Sequence, residues 1–264
     1  ITGIAGVTRS YDGTTDATVS GTPELVGVVG SDDVSLGGTP VYQFVSADVG
    51  TAISIAVTGF TITGADIANY ALTQPAALAA DITQAATTVT ITCPPSVVYS
   101  GAAQTPCTAS VTGAGGLDEA LVVSYGPNTN VGTVNVSASY AGTADYAADT
   151  DSTSFAITQK QLSVNADPQT KVYGETDPDL TWTSTGFVDG ESASNVTITG
   201  SASCSRAAGE SVAGSPYAIT CLPGTLASAN YSFATGTTAE LTITAKPVRS
   251  EEHTSELQSH LNLV

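Results

Sequence analysis

A chain of 264 residues with a formal net charge of −18 and six basic side chains has no basic patch, so no nucleic acid is expected as a partner and anionic membrane surfaces are poor ones. Charged residues are 11% of the chain, and the Leu, Glu, Lys, Arg and Gln that build long helices are scarce, so Thr- and Val-rich strands with Gly, Asn, Asp and Pro turns are expected instead. No apolar run reaches 18 residues, which excludes a membrane-spanning helix, and the lack of any Met is expected of a processed product or a fragment.

Along the chain, the first landmark is Tyr11-Asp12-Gly13. An alternating segment comes next at Ile53–Val57, then Asn69-Tyr70 and a closing Ile82-Thr83. Alternation resumes at Val89–Thr92, with Tyr99-Ser100-Gly101 after it and another strand at Thr133–Ser137. Asp145-Tyr146 and Ile157-Thr158 close that stretch. The third stretch runs from Tyr173-Gly174 through Asn230-Tyr231 to the strand Leu241–Thr244. Period-two alternation puts one strand face on a core and the other in water. A single helical turn is expected at Asp189–Asn195, where Asp can cap it; the alternative there is a loop.

Three landmarks therefore recur in order three times. The second Tyr precedes the closing Ile by 12, 11 and 12 residues. This predicts tandem modules over residues 1–84, 85–160 and 161–248, arranged as an elongated array. The fold class is all-β, with an immunoglobulin-like sandwich favoured. The connections 84–88 and 159–161 are too short for loose linkers, so limited bending between modules is expected.

Four cysteines fall two to a module, Cys93 with Cys107 and Cys204 with Cys221. Three connectivities are open, and the local one keeps each pair inside one repeat. Such staples imply an oxidising compartment. A metal site is the rival reading, weakened by the absence of Cys-x-x-Cys spacing and of His before residue 249.

Residues 1–84 resemble the YDG domain through Tyr11-Asp12-Gly13-Thr14-Thr15, Asp33-Val34-Ser35-Leu36, Val49-Gly50-Thr51 and Gly64-Ala65-Asp66 before Asn69-Tyr70. Residues 161–245 resemble the MBG domain through Val172-Tyr173-Gly174, Asp177-Pro178-Asp179-Leu180, Gly186–Gly190 and Asn230-Tyr231. Residues 85–160 resemble a bacterial immunoglobulin-like repeat through Cys93-Pro94-Pro95, Tyr140-Ala141-Gly142 and Asp145-Tyr146. The resemblance implies long repetitive proteins of the bacterial surface, including filamentous-haemagglutinin-like adhesins, with neighbouring repeats as partners. It also implies a β-grasp-like alternative for the outer modules. It carries no catalytic residue, and it implies that the Tyr-Gly and Asn-Tyr motifs are core and turn residues.

The expected role is a non-enzymatic stalk or spacer, extracellular or on the cell surface. Two alternatives are a module that binds a glycan or protein, and an accessory region of a secreted enzyme. Acid pairs at Asp32-Asp33, Asp118-Glu119, Asp149/Asp151 and Asp177/Asp179 read as solvated turn acids rather than a glycosidase pair. Asp149 and Asp151 are also candidates for Ca²⁺, although their spacing does not match an EF-hand loop. Trp182 reads as a core or strand-face residue rather than a sugar platform. Lys160, Lys171 and Lys246 read as exposed solubilising side chains, with an isopeptide bond to Asn as the alternative.

Residues 249–264 differ abruptly in composition and hold both histidines. The string RSEEHTSELQSH resembles an in-frame translation of a sequencing-library adapter, so the expectation is a reading frame that ran into adapter DNA. The alternative is a short amphipathic helix.

Overall fold

The computed structural model describes residues 1–249, so the tail after Arg249, and both readings of it, lie outside the described residues. The described chain is all-β. Among the described residues helical structure is confined to two 3-10 turns, Ile67–Asn69 and Ala114–Gly116. All four alternating segments lie within strands: Gly50–Thr63, Thr87–Thr92, Gly132–Tyr140 and Ala239–Thr244. Asp189–Asn195 forms successive turns instead of a helix. There the side chain of Asn195, not of Asp189, accepts a bond from the Ser192 N–H at 2.7 Å.

The chain divides into two compact units. The first comprises residues 1–97, 103–128 and 132–156. It opens with the ribbon Thr2–Gly6 and Val19–Glu24, and a sheet ordered Arg9–Ser10, Ala79–Thr83, Gly50–Thr63, Ser35–Phe44. Ile55 and Val57 alternate into a core with Phe44, Ala80 and Ile82. A register shift between Gly38 and Val41 then moves the phase by one, which turns Phe60 inward as well.

Residues 85–156 of this unit form two facing sheets. One is Leu117–Leu121, Thr108–Gly113 and Thr87–Thr92; the other includes Ser124–Tyr125, Gly132–Tyr140 and Asp149–Thr158. Val89, Ala109 and Val111 from the first meet Ala138 from the second.

The second unit comprises residues 98–102, 129–131 and the chain from Ile157 on. Its sheets are ordered Trp182–Thr185, Lys160–Ala166, Tyr231–Thr235 and Gln169–Val172, Ala239–Thr244, Tyr217–Leu222, Ser203–Arg206. Val164 and Ala166 of one pack on Ile219, Cys221 and Leu241 of the other. Each sheet contains one parallel pair, Lys160–Ala166 with Tyr231–Thr235 and Gln169–Val172 with Ala239–Thr244. Parallel neighbours need a long crossover, which this unit makes with strands and loops. No α-helix among the described residues packs on these sheets, so facing sheets replace the β-grasp-like alternative.

Both cysteine pairs are bonded locally. Cys204 and Cys221 are direct cross-strand partners with Cα atoms 4.0 Å apart. Cys93 and Cys107 lie one residue beyond the last pair of their ladder, at 4.4 Å. The spacing suits opposed residues of an antiparallel pair.

Candidate functional site

The start landmarks are built alike. The Tyr11, Tyr99 and Tyr173 N–H groups donate to the carbonyls of the closing threonines Thr83, Thr158 and Thr244 at 2.8, 2.9 and 2.8 Å. A glycine then turns the chain through the left-handed region, with φ of +81° at Gly13, +78° at Gly101 and +85° at Gly174. A side chain is strained there. At the first landmark, Asp12 accepts both the N–H and the hydroxyl of Thr14 at 2.8 Å, and it pairs with Arg9. Those donors hold its carboxyl below the usual range.

The end landmarks anchor their hydroxyls. Tyr70 donates to Asp32 at 2.6 Å and accepts the Val29 N–H at 3.0 Å. Tyr231 repeats this arrangement: it donates to Glu191 and accepts the Val188 N–H at 3.1 Å. In both, the carboxylate lies three residues after the valine. Tyr146 donates to the Ala114 carbonyl at 2.8 Å. Burial, followed by the bond to Glu191, pushes the Tyr231 hydroxyl up to about 12. Tyr70 is raised chiefly by its bond to Asp32, and Tyr146 by desolvation.

Start and end landmarks from consecutive repeats then meet as clamps. In the first unit, the Tyr11 and Tyr146 rings pack edge to face at 5.3 Å. Asp145 accepts the Val49 N–H at 3.0 Å, and the Gln84 amide donates to the Thr143 carbonyl at 2.8 Å. The second unit repeats the set. Tyr99 and Tyr231 pack edge to face at 5.4 Å, Asn230 accepts the Val131 N–H at 3.0 Å, and Gln159 donates to the Ser228 carbonyl at 2.9 Å. Tyr99 adds a bond to Glu191 at 2.6 Å, which is the main cause of its raised pKa, and Phe187 packs edge-on to Tyr231. The residue two beyond the closing Thr pairs in parallel with the end Tyr, Ala85 with Tyr146 and Lys160 with Tyr231.

The sequence motifs alone imply core and turn residues within each repeat, not a meeting across repeats. The signal for that meeting is a Gln directly after each of the first two closing Ile-Thr pairs, together with the tripeptide Val-Gly-Thr at both 49–51 and 131–133. Asn69 does not join a clamp and is exposed. An acceptor at position 230 is what the clamp needs. Asn230→Asp keeps one, as Asp145 does, and is expected to change stability little. Asn230→Ala is expected to cost about 1–2 kcal/mol by leaving the Val131 N–H unpaired. Thermal melting of the two variants checks this order.

Asp32, Asp33, Asp149 and Asp151 are each taken up by a tyrosine or a backbone amide. Asp32 holds Tyr70, and Asp33 accepts the Ala65 N–H at 3.1 Å. Asp149 and Asp151, the Ca²⁺ candidates, accept the Val89 and Ile91 N–H groups at 2.7 and 3.2 Å. Among the described residues no group of three or more His, Cys, Asp or Glu is placed to hold a metal. Trp182 is half-buried against the core of the second unit.

Lys171 corrects the expectation of exposed lysines: it is 6% exposed. A long cation is buried only when paired. Its Nζ lies 2.6 Å from Asp177 and 2.5 Å from Glu210, so it faces carboxylates and not the amide an Asn isopeptide needs. Arg206 bridges the same two acids, with its Nε 2.6 Å from Asp177. Arg206 first, then Lys171, holds the Asp177 carboxyl down at about 2. A lowered folded pKa stabilises the fold above the ordinary carboxylate value and is lost as pH falls through the folded one. The second unit is therefore expected to lose stability as pH falls from the ordinary Asp value of 3.8 through about 2. Asp177→Asn is expected to be less stable at neutral pH and to have a flatter profile in that window; melting temperature against pH reads both.

Comparison with known protein families finds matches over two stretches of the chain. Residues 1–77 match the family model of the YDG domain, and residues 162–242 match that of the MBG domain, YGX type. Tyr11-Asp12-Gly13 and Tyr173-Gly174-Glu175 supply the letters of those two names. The chain matches none of the curated proteins with which it was compared.

Proposed function

Starting from a chain that carries a YDG domain and an MBG domain, we propose that it is a non-catalytic spacer in a repetitive bacterial surface or secreted protein of the adhesin type. One observation carries the reading: two clamps of the same design join consecutive repeats. They use the residues that define the repeat, so the landmarks serve connection as well as internal packing. Residues 85–160 act as a module of the same kind, since they supply an end half to one clamp and a start half to the other. Two disulfides support an oxidising, extracellular setting. Asp32, Asp33, Asp149, Asp151 and Asp177 are engaged with a tyrosine, backbone amides and cations, which favours the spacer over a hydrolase.

A screen of the full chain against mucin and a glycan panel tests this. The spacer reading expects uniform absence of binding. Saturable binding to one glycan class assigns the chain an adhesive role instead. Among the described residues no helix is long and apolar enough to cross a membrane.

A further inference from the structure

The chain contains three start landmarks, and in two of them the partner half is in place. Among the described residues, the third has no partner half. Tyr99 is 5% exposed and Tyr11 half-buried, whereas Tyr173 is 50% exposed and no aromatic ring among the described residues sits against it. The glycines give the same contrast. A Cβ at Gly13 would lie 3.3 Å from Gly115, and one at Gly101 would lie 2.8 Å from Val188, each on the next repeat. A Cβ at Gly174 would meet nothing within 4 Å. Ala85, two residues beyond the first closing Thr, is 2% exposed, but its counterpart Lys246 is exposed.

The local backbone is nonetheless the same. The residue before the landmark tyrosine pairs in parallel with the closing Thr, Ser10 with Thr83 and Val172 with Thr244. The Tyr173 N–H donates to Thr244 as its counterparts do. Val49 and Val131 present N–H groups to the partner half in the two filled clamps. The corresponding loop here carries Val212, which is 41% exposed. Ser215 in that loop accepts the Ile243 N–H at 2.8 Å, which ties the loop to the closing strand.

The geometry points to the face formed by Tyr173, Gly174, Val212 and Lys246 as a docking site for a further β module with an Asn-Tyr or Asp-Tyr end landmark. The incoming tyrosine packs edge-on against Tyr173, and its backbone pairs in parallel at Lys246. Ala245 stands where Gln84 and Gln159 stand, so this third clamp lacks the glutamine bonds and rests on the aromatic pair and the Asn or Asp acceptor. This inference rests on the spacer reading, and adds to it a direction of growth and a required end landmark in the next module.

The test extends the chain itself. Residues 1–246 are continued by a second copy of residues 86–160, which brings Asp145-Tyr146 to the open face. Nitration by tetranitromethane, mapped by peptide mass, reads the exposure of Tyr173. The expected result is ready nitration in the original chain and protection to the level of Tyr99 in the extended one. Tyr173→Ala is expected to leave the melting temperature of the original chain unchanged and to lower that of the extended chain. A second extension, with a copy of residues 161–248, is expected to halve the reactivity, since only its inner Tyr173 is covered.

Tyr173 staying reactive beside a folded appended module overturns the inference. So does the failure of both appended modules to fold, because a docking face should support at least one of them. Protection of Tyr173 in the original chain as its concentration rises assigns the face to a second copy of the chain and overturns it too. None of these outcomes removes the two internal clamps, so the spacer reading is judged separately.

Discussion

Tyr231→Ala is expected to destabilise the second unit by about 3–5 kcal/mol, the range for deleting a large buried aromatic side chain. Tyr231 is 1% exposed and among the largest fully buried side chains. Its removal strips three things at once. The Tyr99 and Phe187 rings lose the ring against which each packs edge-on. Glu191 keeps only one of its two tyrosine donors. The Val188 N–H loses its acceptor. Against a net domain stability of about 5–15 kcal/mol, this takes a large share. Tyr231→Phe separates the ring from the hydroxyl. It keeps the packing and forfeits the two hydrogen bonds, at about 1–3 kcal/mol. Denaturant titration of both variants is expected to give two well-separated midpoints. Similar midpoints would mean that the hydroxyl network dominates.

Opening the Cys204–Cys221 bond is the second large effect. The two cysteines are 17 residues apart in sequence and directly opposed across their strands. Chain-entropy arguments give about 3 kcal/mol for a loop of that length. Reduction at fixed pH is the cleaner experiment, because Cys221 is 1% exposed and a substitution there also disturbs packing. The expected result is a fall in melting temperature of roughly 10–25 °C for a module of this size. Alkylation after reduction should label all four cysteines, and labelling without reduction should be nil. Free thiols in the untreated protein contradict the staple.

The strands are legible because alternation survives in the sequence. At Ile53–Val57, Ile55 and Val57 face inward and Ser54 and Ala56 outward, as the pattern dictates. The cysteine pairing is legible for a different reason: each pair lies inside one repeat, its members 14 and 17 residues apart. The recurring tyrosines mark the repeats, but their partners do not show. Tyr11 and Tyr146, or Tyr99 and Tyr231, are more than a hundred residues apart, and no local rule ties them. Distance in sequence also hides Lys171. Its partners Asp177 and Glu210 come from a turn and a loop that only the folded sheets bring together. Asp149 and Asp151 read as free acids because their amide partners lie on a strand 60 residues earlier. Parallel pairing is equally invisible, since a crossover leaves no turn signature between the paired strands.

The clamps can be measured as couplings. In a double-mutant cycle, Tyr99→Leu, Tyr231→Leu and the double variant are compared by equilibrium unfolding, and Tyr11 and Tyr146 are treated in the same way. Edge-to-face pairs contribute about 0.5–1.5 kcal/mol beyond buried area. A coupling of that size in both pairs is the expected result. Additive losses in both pairs, within about 0.3–0.5 kcal/mol, would show independent core residues and contradict the clamp.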